Sequence, residues 1–243
     1  MVRGLDIFKD WFNEFSDQYV LIGGTAASLA MQDFGIPFRA TKDLDVVLHL
    51  EALTPQFGKR FWKFIEAGEY QIKQRNDGQP RLYRFQKPKP KNFPWMIELF
   101  SSLPKEVKIF KDSHLTPIPI GEDISNMSAI LLDKEYYDFV ISGRRIKNGL
   151  AWIGEDRLIP LKAFACLNLR ESLEGGGSSI QMDDIHKHLR DVIALTGLIS
   201  PELRIKLTPT ISNNLETFIN NVDTDQHPEF LPVSDRLRLA YCL

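Results

Sequence analysis

Cysteine is scarce in this chain: of 243 residues only Cys166 and Cys242 are cysteines. Thiols so few and so far apart exclude a disulfide framework and a cysteine-rich zinc site, and they fit a reducing compartment. Long apolar runs are missing too, since no stretch approaches the ~20 apolar residues that a membrane-spanning helix needs. The N-terminus carries Asp6, Lys9, Asp10 and Glu14 where a secretory signal would be apolar, so a cytoplasmic protein with no membrane partner is expected. An excess of either charge is also lacking. With 30 Lys and Arg against 32 Asp and Glu the formal net charge is −2, which gives no global attraction to nucleic acid and demands a local patch for any such binding. No internal repeat or low-complexity segment is visible. What is present, 43% hydrophobic and 26% charged residues, is ordinary for a globular protein with a core, and the length allows one large domain or two small ones.

Periodicity gives the organisation. Ile7, Phe8, Trp11, Phe12 and Phe15 recur at helical spacing, so residues 5–17 form an amphipathic helix whose stripe is core packing. Tyr19–Ile22 reads as a strand, 55–67 as a helix, and 70–75 with 81–86 as strands around an Asn76-Asp77-Gly78 turn. Residues 95–100 alternate as a strand, with Trp95, Ile97 and Leu99 on one face and Met96, Glu98 and Phe100 on the other. The Pro-interrupted stretch 104–128 reads as irregular, and 136–141 suits a strand or a helix equally. From Pro160 onward the pattern is helical, over 160–172, 181–196, 201–206 and 210–221, ending in a Pro-containing tail. The expected fold is α/β (α+β): a mixed sheet core over residues 1–125, followed by a mainly helical part over 126–243.

The most informative block is 19–50, where an apolar run leads through Gly23-Gly24-Thr25 into a helix, and a second apolar run opens with Asp43-Leu44-Asp45. On a strand, Asp43 and Asp45 project together while Leu44, Val46, Leu48 and Leu50 go to the other face. Carboxylates that close repel unless a cation or strong donors intervene. Mg²⁺ is suited to the role, because it takes hard carboxylate oxygens and tolerates one or two of them beside waters and substrate phosphates. The glycines let a phosphate approach the backbone, and amides at a helix start can bind an anion. Each half alone has an ordinary explanation: Gly-Gly-Thr as a tight turn, Asp-x-Asp as a solvated strand start.

In this order the halves resemble the signature of the DNA polymerase β-like nucleotidyltransferase superfamily: strand, Gly-Gly turn, helix, then Asp-x-Asp on the next strand. Arg39-Ala40-Thr41-Lys42-Asp43-Leu44-Asp45 is similar to the Arg-x-Thr/Ser-x-Asp-x-Asp of the AbiEii/AbiGii (MenT-like) toxin family of nucleotidyltransferases. The resemblance covers roughly residues 18–196. It implies a nucleotidyltransferase-type sheet, Mg²⁺ or Mn²⁺ on Asp43 and Asp45, and nucleotide contacts from Gly23, Gly24, Thr25, Arg39 and Thr41. It also implies a further carboxylate on a later strand, for which Met96-Ile97-Glu98-Leu99-Phe100 has the form. Glu98 suits equally a strand glutamate paired with a lysine of the neighbouring strand.

A second constellation lies in the helical part. Leu158-Ile159-Pro160-Leu161-Lys162 reads as a helix start with Pro160 in the first turn, where its missing N–H costs nothing and Lys162 opposes the helix dipole. The resemblance makes Lys162 a catalytic residue on the nucleotide phosphates; the plain alternative is a solvated lysine. In Asp183–Val192, Ile185, Leu189, Val192 and Leu195 make a buried stripe, and Lys187 and Asp191 lie four apart on one face. The family pattern Lys-Asp-x-x-Asp is matched by Lys187, in nucleotide binding, and by the catalytic Asp191, whereas His188 replaces the middle acid. His186 and His188 stand two apart on a helix and do not converge on a metal. Gly175 to Ser179 follows a helix and lacks the ending of a P-loop, so it reads as a connector. Between Lys73 and Lys91, Arg75, Arg81, Arg84, Lys87 and Lys89 with Tyr83, Phe85 and Phe93 interleaved could hold phosphates and bases, or simply guard a sheet edge.

The activity expected from the resemblance is metal-dependent transfer of a nucleotidyl group from an NTP to an acceptor hydroxyl, with the helical part closing the site. The acceptor would be tRNA, another RNA or a small molecule, and as a toxin component the protein would have a cognate antitoxin. The alternatives are an aminoglycoside-like antibiotic nucleotidyltransferase and a catalytically degenerate nucleotide- or RNA-binding regulator.

Overall fold

The computed structural model describes residues 2–74, 80–102, 115–117, 128–176 and 181–243, with the side chains of 72–74, 80–82, 115–117 and 128–131 left aside. The Asn76-Asp77-Gly78 turn, most of 104–128 and the Gly177–Ser179 end of the connector lie outside these residues. The protein is mixed α/β with a helical C-terminal part. It divides into two compact units, Met1–Leu29 with Pro37–Ile153, and Ala30–Ile36 with Gly154–Leu243. That division falls later than residue 125, because strands between 128 and 153 pair into the sheet.

In the first unit, helix α1 (Leu5–Phe12) precedes strand β1 (Tyr19–Ile22), helix α2 (Gly23–Asp33) starts in this unit, and strand β2 (Asp43–Leu48) and helix α3 (Pro55–Ala67) follow. Then come β3 (Gln71–Gln74), β4 (Pro80–Gln86), β5 (Met96–Ser101), β6 (Leu115–Pro117) and β7 (Ser128–Leu131), helix α4 (Lys134–Ser142), and β8 (Arg144–Lys147) with β9 (Leu150–Ile153). Among the described residues these strands form one sheet in the order β3-β4-β5-β2-β1-β9-β8, with β7 also pairing β5 and β6. It is mixed: β2 runs parallel to β5 and antiparallel to β1, and β1 runs parallel to β9.

Aromatic residues fill the core beneath it. Phe8 and Phe12 of α1, Tyr19 of β1, and Phe57, Phe61 and Phe64 of α3 are all buried. Phe8 meets Tyr19 edge-on at 5.3 Å and Phe64 edge-on at 5.9 Å, contacts worth about 0.5–1.5 kcal/mol each beyond the area they bury. Helix α3 starts where Pro55 occupies its first turn and the Thr54 hydroxyl accepts from Phe57 N at 3.3 Å, an ordinary N-cap.

Residues 136–141 resolve into helix α4, because the Asp133 carboxylate accepts from Glu135 N at 2.8 Å and caps its start. The β8–β9 hairpin turns on Asn148 and Gly149, at φ 54° and 78°, and left-handed residues in succession are what a tight hairpin needs. In the second unit, helix α5 spans Glu155–Glu174, α6 Met182–Thr196, α7 Pro209–Asn221 and α8 Leu231–Tyr241. The helical expectation for 201–206 is corrected: Pro201 and Glu202 form a turn, residues 203–208 have no regular secondary structure, and Ile205 N donates to Ala240 O at 2.8 Å.

Pro160 is not in the first turn of its helix. It is the sixth residue of α5, where proline removes the bond to the carbonyl four residues back and costs ~3 kcal/mol or more in an ordinary helix. That carbonyl belongs to Asp156, and it accepts instead from the hydroxyl of Tyr241 at 2.9 Å. Burial pushes the Tyr241 phenol far above its usual range, so it stays a donor.

Candidate active site

Asp43 and Asp45 stand on β2 with Leu44 between them; Leu44 is fully buried and both aspartates are half-buried. Asp45 lies opposite Ile22 on β1 and opposite Glu98 on β5, and Glu98 lies opposite Arg84 on β4. Directly opposed residues carry their side chains on one face. Asp45, Glu98 and Arg84 therefore form one row across the sheet, with Asp43, Met96 and Gln86 as the row beside it.

The Gly23-Gly24 turn closes over this carboxylate pair. Gly23 has φ +65°, and a Cβ placed on it would meet Asp45 Oδ2 at 1.9 Å. A side chain there would displace the carboxylate. A Cβ on Gly24 would meet Thr41 Oγ1 at 2.9 Å and an Arg39 guanidinium nitrogen at 3.5 Å. Thus Gly23 packs on Asp45, while Gly24 packs on Thr41 and Arg39. Arg39 also lies over the Phe38 ring, 5.3 Å from its centroid. Thr25 is fully buried and its hydroxyl donates to the Asp43 carbonyl at 2.9 Å. That hydroxyl fastens the start of α2 to β2.

Glu98 belongs to the row, and its carboxylate is engaged. Arg84 Nε donates to Glu98 Oε1 at 2.5 Å, and a terminal guanidinium nitrogen lies 2.5 Å from the same oxygen. This is the paired-strand arrangement, with arginine in place of lysine. Among the described residues no three His, Cys, Asp or Glu side chains are grouped to hold a metal ion. Asp43 and Asp45 remain as two carboxylates on one strand face, a donor set that would suit Mg²⁺ or Mn²⁺, for which one or two carboxylates suffice. The cradle at Gly23 leaves the Asp45 carboxylate directly against the Gly23-Gly24 turn.

In the helical unit, Lys162 and Asp191 are brought together. Lys162 Nζ donates to Asp191 Oδ2 at 2.8 Å, with side chains 6% and 3% exposed. Lys162 is neither solvated nor near the helix start, for it is the eighth residue of α5, beyond the reach of the terminal dipole. Lys187, one turn before Asp191, is exposed. The stripe of Ile185, Leu189, Val192 and Leu195 is buried as its spacing requires, and α6 opens with reciprocal bonds between Gln181 and Asp184.

Of the basic ribbon, Arg84 serves Glu98, and Lys89 pairs with Glu69 at 2.8 Å in solvent. Arg75 lies outside the described residues, and the side chains of Lys73 and Arg81 are among those left aside. Arg84 as a partner of the carboxylate row was hidden in that ribbon, since only the strand register singles it out. A different contact was out of reach of helical spacing: His186 does not meet His188 but stacks edge-on with His227, ring centroids 5.7 Å apart.

No family model, no curated protein and no solved structure matches this chain significantly.

Proposed function

We propose that this protein is a metal-dependent nucleotidyltransferase that transfers a nucleotidyl group from an NTP to an acceptor hydroxyl. The observation that carries this reading is the fit of Gly23 on Asp45: a left-handed glycine turn at a helix start, packed without room for a Cβ against a carboxylate of an Asp-x-Asp pair. A left-handed φ alone selects glycine in any turn; what supports the reading is that this turn opens a helix and lies directly against the Asp-x-Asp pair, so that one triphosphate could meet helix-start amides and a carboxylate-bound cation together.

Asp43 and Asp45 would hold Mg²⁺ or Mn²⁺, which when bound neutralises phosphate charge and favours ionisation of an attacking hydroxyl. The amides of Gly24 and its neighbours would orient the phosphates. Arg39 and Thr41, packed beside Gly24, would supply a guanidinium and a hydroxyl to the same group. Thr25 would act by holding α2 to β2, and Arg84 by taking up the charge of Glu98 so that it does not add to that of Asp45. The reaction is in-line attack of the acceptor oxygen on the α-phosphorus, with pyrophosphate leaving.

Incubation with each α-labelled NTP, Mg²⁺ and either total RNA or a panel of small hydroxyl acceptors tests the reading. Label should move to an acceptor with wild type and not with Asp43→Asn or Asp45→Asn. Undiminished transfer by either variant would remove the metal pair from the mechanism. The acceptor that takes label decides between a toxin component acting on RNA and an enzyme modifying a small molecule.

A further inference from the structure

The helical unit contains a cleft of about 350 Å³ between α5, α6, the end of α7 and the turn after it, lined among others by Cys166, Arg170, Glu174, His186, Asp223 and His227. We propose that His186 and His227 form a binding site for a divalent transition-metal ion of the Zn²⁺ class, with two imidazole ligands and water in the remaining positions. This site is separate in residues and in chemistry from the Asp43/Asp45 pair.

Geometry is the first argument. The rings come from different segments and meet at 69° with centroids 5.7 Å apart. Imidazoles sharing one tetrahedral ion at nitrogen–metal distances of ~2.0–2.1 Å hold their centroids roughly 5–6 Å apart. The second argument is orientation. His227 Nδ1 lies 3.3 Å from Glu229 Oε1; in the neutral Nδ1–H tautomer the carboxylate accepts from that nitrogen and Nε2 keeps its lone pair for a metal, the usual support of a histidine ligand. Pre-organisation is the third. Asp223 Oδ1 accepts from Asp225 N at 3.0 Å and Gln226 N at 3.3 Å, and His227 N donates to Asp223 O at 2.9 Å, so a closed turn fixes the position of His227.

Charge favours a cation as well. Glu174 and Asp223 line the cleft against the single guanidinium of Arg170, and that guanidinium donates to Asn221 O at 2.7 Å. Glu229 stands behind His227. Cys166 is 3% exposed and burial pushes its thiol up; with its Sγ directed at Ile185 O, 3.8 Å away, it is not assigned as a ligand.

The test is calorimetric titration of the full chain with Zn²⁺, in an Asp43→Asn, Asp45→Asn background so that the carboxylate pair does not compete. One Zn²⁺ should bind per chain. His186→Ala and His227→Ala should each weaken binding at least tenfold, Glu229→Gln by about tenfold through its effect on His227, and Cys166→Ser not at all. Binding unchanged in both histidine variants overturns the proposal, and loss of binding in Cys166→Ser overturns the two-imidazole assignment. If either alanine variant fails to fold, protection of the unsubstituted histidines decides: bound Zn²⁺ should slow modification of His186 and His227 by diethyl pyrocarbonate, read residue by residue by mass spectrometry. Equal modification with and without Zn²⁺ would refute the site.

Discussion

The glycine turn and aspartate pair of the sheet unit come from one short segment, whereas the buried ion pair and the helix-mending contact of the helical unit join positions far apart along the chain. Gly23, Gly24, Thr25, Arg39, Thr41, Asp43 and Asp45 all lie within the β1–α2–β2 segment, and Thr25 reaches the Asp43 carbonyl across only 18 positions. In the helical unit Lys162 finds Asp191 across 29 positions, Arg170 finds Asn221 across 51, and Asp156 finds Tyr241 across 85. The groups also differ in burial. The aspartates on β2 are half-buried beside the Gly23-Gly24 turn, while Lys162 and Asp191 are sealed against each other. On the proposed function the half-open pair of like charges is completed by a bound cation, whereas the closed pair of opposite charges is already compensated within the fold.

The sharpest way to break that comparison is to open the closed pair. Lys162→Ala leaves the Asp191 carboxylate buried without its cation, and the loss of one partner of a buried pair is expected to cost about 3–5 kcal/mol in urea unfolding. Replacing both together, as Lys162→Met with Asp191→Leu, should restore most of that stability, because an apolar pair of similar volume needs no compensation. A loss under ~1 kcal/mol for Lys162→Ala would mean that the pair is solvated after all.

Next in size is Gly23, where the sheet unit can be tested against an internal control. Gly23→Ala combines left-handed backbone strain of about 1–2 kcal/mol with displacement of the Asp45 carboxylate. Gly35 has φ +70° with nothing within 4 Å of an added Cβ, so Gly35→Ala reports the strain alone. Gly23→Ala should therefore be the more destabilising, and Asp45→Ala in the Gly23→Ala background should recover most of the difference. Equal losses at the two glycines would show that Asp45 does not fill the space over Gly23.

The same contrast decides what was legible in the sequence. A strand repeats every two residues, so the shared face of Asp43 and Asp45 follows from their spacing, and the buried stripe of α6 follows from its period of 3.6. The Asn148-Gly149 hairpin carried a signal too, for that dipeptide favours a left-handed turn between strands, yet its short, charged flanking strand β8 has no alternation to draw attention. Other features left no local trace. Proline is normally excluded from a helix interior, so Pro160 points to a helix start until Tyr241 is known to satisfy Asp156 O. The pairing of Glu98 with Arg84 depends on strand register, and the meeting of His186 with His227 on how a turn after α7 comes to lie beside α6.

The Tyr241 contact offers a smaller but more pointed test. Tyr241→Phe leaves the Asp156 carbonyl without that donor, a loss of about 1–2 kcal/mol. In a Pro160→Ala background the residue at 160 regains an N–H that can reach the same carbonyl, so the cost of Tyr241→Phe should shrink. Full additivity of the two substitutions, measured as a double-mutant cycle by urea unfolding, would mean that the hydroxyl does not stand in for the missing helical bond.

The smallest effect on stability belongs to the half-open pair, and it is where the contrast with Lys162 is clearest. Asp43→Asn and Asp45→Asn each remove one of two like charges on one strand face, so in Mg²⁺-free buffer stability should change by less than about 1 kcal/mol and need not fall. Added Mg²⁺ should separate the variants from wild type. A ligand that binds only the folded state at ten times its dissociation constant stabilises by about 1.4 kcal/mol, so the unfolding midpoint of wild type should rise with Mg²⁺ while that of either variant should not. Lys162→Ala in a chain that still folds should keep the full Mg²⁺ response, because its deficit lies in the packing of the helical unit. If Mg²⁺ raised the midpoint of Asp45→Asn as much as that of wild type, the ion would be bound elsewhere and the carboxylate pair would lose its assigned role.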